Sequence, residues 1–176
     1  MIGLDPDGKT DINWFADIGD KPYYTQASKI EPDGFFSVGA HGNPDYLLQH
    51  ERNDAGLPLV GKNKAPIFDD VDFKNVAGSI RNDSRYKANP MPVILMACKS
   101  GAGDNPIAQQ VAIDLKQIVI APENNFYMDK NNDGKYYTGP LAGKVLNKWR
   151  VFLPEGMEMS SLEMKSMIDR VIKAGK

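Results

Sequence analysis

The sequence predicts an α/β fold built around a mostly parallel sheet. Three short apolar runs, FFSV from Phe35, PVILM from Pro92 and QIVIA from Gln117, read as buried strands. Stretches of helical periodicity fall between them, and the order strand, helix, strand, helix, strand is that of a sheet covered by helices on its faces. At 176 residues and 41% hydrophobic composition, the chain can bury one ordinary core. Residues 1–176 are therefore expected to form a single domain.

The first segment, residues 1–20, reads as an N-terminal β decoration. IGL and INWF flank the turn sequence DPDGKTD, whose Pro6 and Gly8 stand where turns favour them. A short strand is expected near YYTQA, and Asp33-Gly34 then delivers the chain into the first apolar strand. From 44 to 68 the residues are rich in Gly, Pro, Asn and Lys, which reads as a surface excursion. A helix is expected from about Val71 to Ile80, with Val71, Val76, Ala77 and Ile80 on one face and Asp69 or Asp70 as its cap.

The second strand, PVILM, leads into a loop and then a better-marked helix. There Asp104 or Asn105 would cap, Pro106 would take the first turn, and Ile107, Ala108, Val111, Ala112 and Leu115 recur at helical spacing. QIVIAP supplies the third strand. NFYMDKNNDGKYYTGP reads as a hairpin turning at Asn132 to Gly134, and KVLNKWRVFLP as a strand near the sheet edge. The last helix is marked by a capping box, Ser160 with Glu163, and by a stripe of Met164, Met167, Ile168, Val171 and Ile172.

Two of the apolar strands end in residue types that carry chemistry. FFSVGAHG runs into His41 followed by Gly42, and PVILMACKSG runs into Cys98, the only cysteine, with Gly101 and Gly103 beyond it. Parallel strands place their carboxyl ends along one edge, where α/β folds bind ligands. If these two strands are neighbours, His41 and Cys98 emerge side by side. A thiol near pKa ~8.5 is largely protonated at neutral pH, and an adjacent imidazole can take its proton or hold it as an ion pair. Attack on a carbonyl then creates an oxyanion that needs backbone N–H donors, for which Gly42 and Cys98 are the candidates. Asp45 is a candidate helper to the histidine. His50, framed by no apolar periodicity, is expected on the surface.

The blocks VGAHG and ILMAC, in that order, resemble the caspase-like cysteine peptidases over roughly residues 35–122. The segment from Ala97 to Pro122, ACKSGAGDNPIAQQVAIDLKQIVIAP, and the tail WRVFLP are similar to C-terminal domains of bacterial polymorphic toxins. The resemblance implies a three-layer caspase-like core, a His41–Cys98 dyad and cleavage of a protein or peptide substrate. It further implies a toxin, effector or autoprocessing domain, secreted or delivered as part of a larger protein, with a cognate immunity protein as partner. Lys99 stands where caspases carry arginine after their cysteine, so aspartate specificity is not implied. A deamidase or other cysteine hydrolase using the same dyad, or a catalytically inactive binding module, are the alternatives.

Composition limits other classes. A formal charge of −2 without a basic block gives no footprint for nucleic acid. No apolar run approaches the ~18 residues of a membrane span, and MIGLDPDGKTD is unlike a signal segment. One cysteine excludes an internal disulfide. DKNNDG, Asp129 to Gly134, has the opening of a calcium loop, but position 12 is Pro140 instead of glutamate and a hairpin turn accounts for the same residues. No cofactor is expected, and calcium, which activates some caspase-like relatives, remains only a side reading.

Overall fold

The structure is a computed structural model that describes residues 10–19, 21–30, 32–129 and 134–176. Its centre is a five-stranded sheet in the order β1 (Ile12–Asn13), β2 (Phe36–Gly39), β6 (Val93–Met96), β7 (Val119–Pro122), β10 (Trp149–Phe152). The first four run parallel and β10 is antiparallel to β7. The three apolar runs thus form the adjacent central strands, and all four residues of β6 are fully buried.

Helices cover both faces. On one face α2 (Phe73–Asn82) and α4 (Ile107–Leu115) pack against Val38, Leu95 and Val119. On the other, α1 (Lys21–Ala27), α5 (Ser161–Ala174) and the hairpin of β8 (Asn125–Met128) and β9 (Tyr136–Gly139) pack against Ile94, Met96 and Ile120. The strict alternation along each central strand therefore feeds two separate apolar clusters.

The N-terminal segment differs from the expected decoration, because Ile12–Asn13 joins the central sheet as its edge strand. IGL lies outside the described residues. YYTQA is helix α1 instead of strand: Lys21-Pro22 opens a helical turn, and Gln26 and Ala27 are buried against the sheet. The 44–68 excursion is more ordered than its composition suggests. It contains β4 (Leu47–His50) and leads to β5 (Phe68–Val71); β4 pairs with β3 (His41–Gly42) on one side and with β5 on the other as a small antiparallel sheet. A short helix, α3 (Ser84–Ala88), was not expected from the sequence.

Helix starts show where capping logic held. Asp72, not Asp69 or Asp70, caps α2 by accepting from the Asn75 amide, because those two earlier residues belong to β5. Asp72→Ala is expected to cost about 1 kcal/mol, read from the urea midpoint. Helix α4 has Pro106 itself at the cap without a side-chain bond. Its first amides go instead to carbonyls brought by other loops: Ile107 N–H to Pro44 O at 2.6 Å and Ala108 N–H to Ser100 O at 3.2 Å. The Ser160–Glu163 capping box of α5 is present as expected. The turn of the β8–β9 hairpin at Asn132 and Asp133 lies outside the described residues, as does most of the calcium-like segment. No helix among the described residues is long and apolar enough to cross a membrane.

Candidate active site

Strand register decides how His41 and Cys98 stand to one another. The pairs Phe36↔Val93 through Gly39↔Met96 are each offset by 57 residues, the offset that separates His41 from Cys98. The Ala40 amide, bonded to Met96 O at 3.3 Å, carries the ladder one step further. Ala40 and Ala97 both belong to the α2/α4 cluster. The next residues therefore turn to the opposite face, where Cys98 packs against the second cluster and His41 meets Phe15 of that same cluster. Adjacent strands lie ~4.8 Å apart. The two residues thus follow directly on the register-matched ends of neighbouring parallel strands, each on the side of the second cluster.

Beyond Ala40 the chain leaves the main sheet, and His41–Gly42 pairs with Leu48 and Leu47 of β4. The His41 ring is half-buried among three aromatic rings: Phe15 at 4.9 Å, Tyr23 at 5.5 Å and Phe68 at 5.5 Å between centroids. These rings come from the N-terminal segment, α1 and β5, and nothing in the spacing of the sequence announces their convergence. The edge-on contacts with Phe15 and Phe68, both at 89°, restrict how the imidazole can turn.

Gly42 serves a different need from the one its sequence context suggests. A Cβ there would lie 2.8 Å from Leu47 Cδ2 and 3.2 Å from Ala97 Cβ, so the missing side chain is a packing requirement on the core face. Its amide nevertheless suits the oxyanion role. The Asn43 amide bonds Tyr46 O at 3.1 Å, which makes Gly42↔Leu47 the non-hydrogen-bonded pair of the ladder. The Gly42 N–H consequently points away from β4. Gly42→Ala is expected to cost about 1–2 kcal/mol in a thermal melt, Leu47 giving way by a rotamer change.

Cys98 sits at the second position of a tight turn closed by Ser100 N–H to Ala97 O at 3.4 Å. The third position, Lys99, has φ 55°, a left-handed conformation that costs a non-glycine residue about 1–2 kcal/mol. Such backbone is concentrated at functional turns. The Cys98 amide has no backbone acceptor among the described residues. Its sulfur lies against one peptide unit of β8: the thiol donates to Phe126 O at 3.6 Å, and Phe126 N–H donates to the sulfur at 3.4 Å. Burial pushes the thiol above its ordinary pKa, opposed by the Phe126 amide, the Lys99 charge and the residue's own amide. The N-terminus of α4 offers it no direct dipole, since α4 packs on the other face of the sheet and its first amides are already bonded.

The remaining sequence candidates fall apart from this pair. Asp45 is exposed at the tip of the β3–β4 hairpin, where its amide bonds the Asn43 side chain at 2.8 Å, and no side-chain hydrogen bond ties it to His41. His50 corrects the expectation of a surface residue: it is 3% exposed, its Nε2–H donates to Leu59 O at 3.0 Å, and its Nδ1 lies 3.5 Å from Asp17 Oδ1. It clasps the excursion, which its loop composition concealed. Among the described residues no three His, Cys, Asp or Glu side chains gather into a cation site.

The profile of a family described as Domain of unknown function (DUF8616) matches residues 10–138, well over half of the chain. The chain belongs to this family. The DUF8616 span takes in β1 through β8 and most of β9, both turns of the site and the aromatic rings around His41, and ends before β10. No curated protein and no solved structure matches the chain.

Proposed function

We propose that this domain is a cysteine endopeptidase working through a His41–Cys98 dyad. The observation that carries the reading is the shared 57-residue offset, under which His41 and Cys98 each follow directly on the register-matched carboxyl ends of adjacent parallel strands. The outward Gly42 amide and the Cys98 amide, which meets no backbone carbonyl among the described residues, support it as oxyanion donors.

In this reading the thiol turns about its side-chain bond from Phe126 toward His41, which takes its proton. The sulfur attacks the peptide carbonyl, a C–S bond forms, and the carbonyl electrons move to the oxygen held by the two amides. Collapse breaks the C–N bond, and the imidazolium returns its proton to the leaving amine. His41 then takes a proton from water as the water oxygen bonds the acyl carbon; the C–S bond breaks, the acid product leaves, and the imidazolium proton returns to the sulfur to regenerate the thiol. The tail and the Cys-loop sequences, similar to those of bacterial toxins, support the reading of an effector or autoprocessing domain that acts on a protein or peptide substrate and has a neutralising partner.

A second reading rests on one observation: the half-buried thiol, engaged with the Phe126 peptide unit, suits a catalytically inactive binding module equally well. Incubation with a diverse peptide library, read by mass spectrometry, separates them. Endopeptidase chemistry predicts new peptide termini that vanish in His41→Ala by about 10²-fold or more. An unchanged library with a folded protein favours the binding module, and loss of ammonia from glutamine or asparagine side chains favours a deamidase.

A further inference from the structure

The strained turn at Cys98 needs holding, and its amides and carbonyls are held by different elements. Lys99 N–H bonds Asn124 O and Gly101 N–H bonds Pro122 O, both at 3.0 Å, which ties the turn to the end of β7. The carbonyls of Gly101 and Gly103 converge on a single nitrogen from another strand: Arg150 Nη1 donates to them at 2.9 and 2.8 Å. Arg150 stands on β10 directly opposite Ala121 of β7. That is the residue against whose carbonyl the Gly101 backbone lies.

The guanidinium is fixed from two further sides. Its Nε lies 3.8 Å from Glu123 Oε1, and its plane covers the Phe152 ring at 4.8 Å from the centroid. A lysine would supply the charge without the fork or the stacking plane. Charged donors make the stronger hydrogen bonds, and here one such group gathers two carbonyls of the loop that begins with the candidate nucleophile.

We infer that Arg150 is a positioning residue, which holds the Cys98–Gly103 turn in the conformation that the dyad requires. It acts through the turn and touches no reacting atom. The inference rests on Cys98 as the nucleophile, so the test reads the turn and the thiol separately. Amide hydrogen exchange of the whole chain is compared for wild type, Arg150→Met and Arg150→Lys, alongside the pH profile of Cys98 alkylation by iodoacetamide.

In Arg150→Met the amides of Gly101 and Ala102 are expected to exchange about tenfold faster or more, while those of Val93 to Met96 stay as in wild type. The low-pH limb of alkylation should fall with them, and Arg150→Lys should recover part of both. Unchanged protection at Gly101 and Ala102 overturns the inference, and so does an equal loss at Val93 to Met96, which would mark a merely structural residue. If the methionine variant does not fold, the same comparison is read on the lysine variant, with a smaller loss expected at the turn alone. A turn that loosens as expected, in a protein whose wild type has no low-pH limb, keeps Arg150 as the holder of the turn and removes Cys98 as the nucleophile.

Discussion

Cys98→Ala is expected to abolish peptide-bond cleavage, by about 10³-fold or more, while the domain stays folded. Without the sulfur no acyl intermediate can form, and the two amides and His41 are left to assist water alone. The structural cost is limited. The side chain is half-buried, and its partner is a single peptide unit of β8, with Phe126 N–H at 3.4 Å and Phe126 O at 3.6 Å. Losing a weak sulfur contact and a small volume should take about 1–2 kcal/mol from stability. Cleavage assays and urea melts on the same preparation check both halves. A variant that keeps wild-type cleavage removes Cys98 from the chemistry, and one that loses the fold marks it as a core residue.

Gly101→Ala is expected to destabilise by about 2–4 kcal/mol and to carry the Cys98 turn with it. A Cβ at this position would meet the Ala121 carbonyl oxygen at 2.8 Å, its carbon at 3.1 Å and its Cβ at 3.2 Å. These neighbours belong to a central strand paired on one side with β6 and on the other with β10, so they cannot retreat. The turn must move instead, and Gly101 N–H then leaves Pro122 O. Gly103 is the control, since its φ of +89° carries backbone strain but nothing lies within 4 Å of its would-be Cβ. Gly103→Ala should therefore cost about 1–2 kcal/mol. Denaturant midpoints that rank the two substitutions the other way would contradict the packing account.

The main sheet was legible because its central strands are buried on both faces. FFSV, VILM and VIAP need no partner to be recognised as apolar runs, and their chain order sufficed to suggest the parallel core. Short elements with one polar face were not legible. Strand β5, FDDV, carries two exposed aspartates and reads as a cap for the following helix, while KPYYTQA places two tyrosines of high β propensity in what packing makes a helix.

For the site, the strand endings suggested that His41 and Cys98 belong together, since register follows from pairing two recognisable strands. What the sequence hides is everything brought by distant segments. The rings around His41 come from positions 15, 23 and 68, and the peptide unit on the thiol comes from Phe126. Gly42 shows the limit differently. Its residue type was legible, but the reason for it, the close approach of Leu47 and Ala97, is a tertiary contact.

The central claim is that His41 takes the proton of Cys98, and the rate of Cys98 alkylation by iodoacetamide against pH, in wild type and in His41→Ala, tests it most directly. Burial alone holds the thiol above its ordinary range, so a thiol without a base should react along a single rise at a pH above the usual ~8.5. The dyad predicts that wild type keeps substantial reactivity well below that rise, and that His41→Ala loses this limb while keeping the upper one. Superimposable profiles for the two proteins, each with only the upper rise, would contradict it.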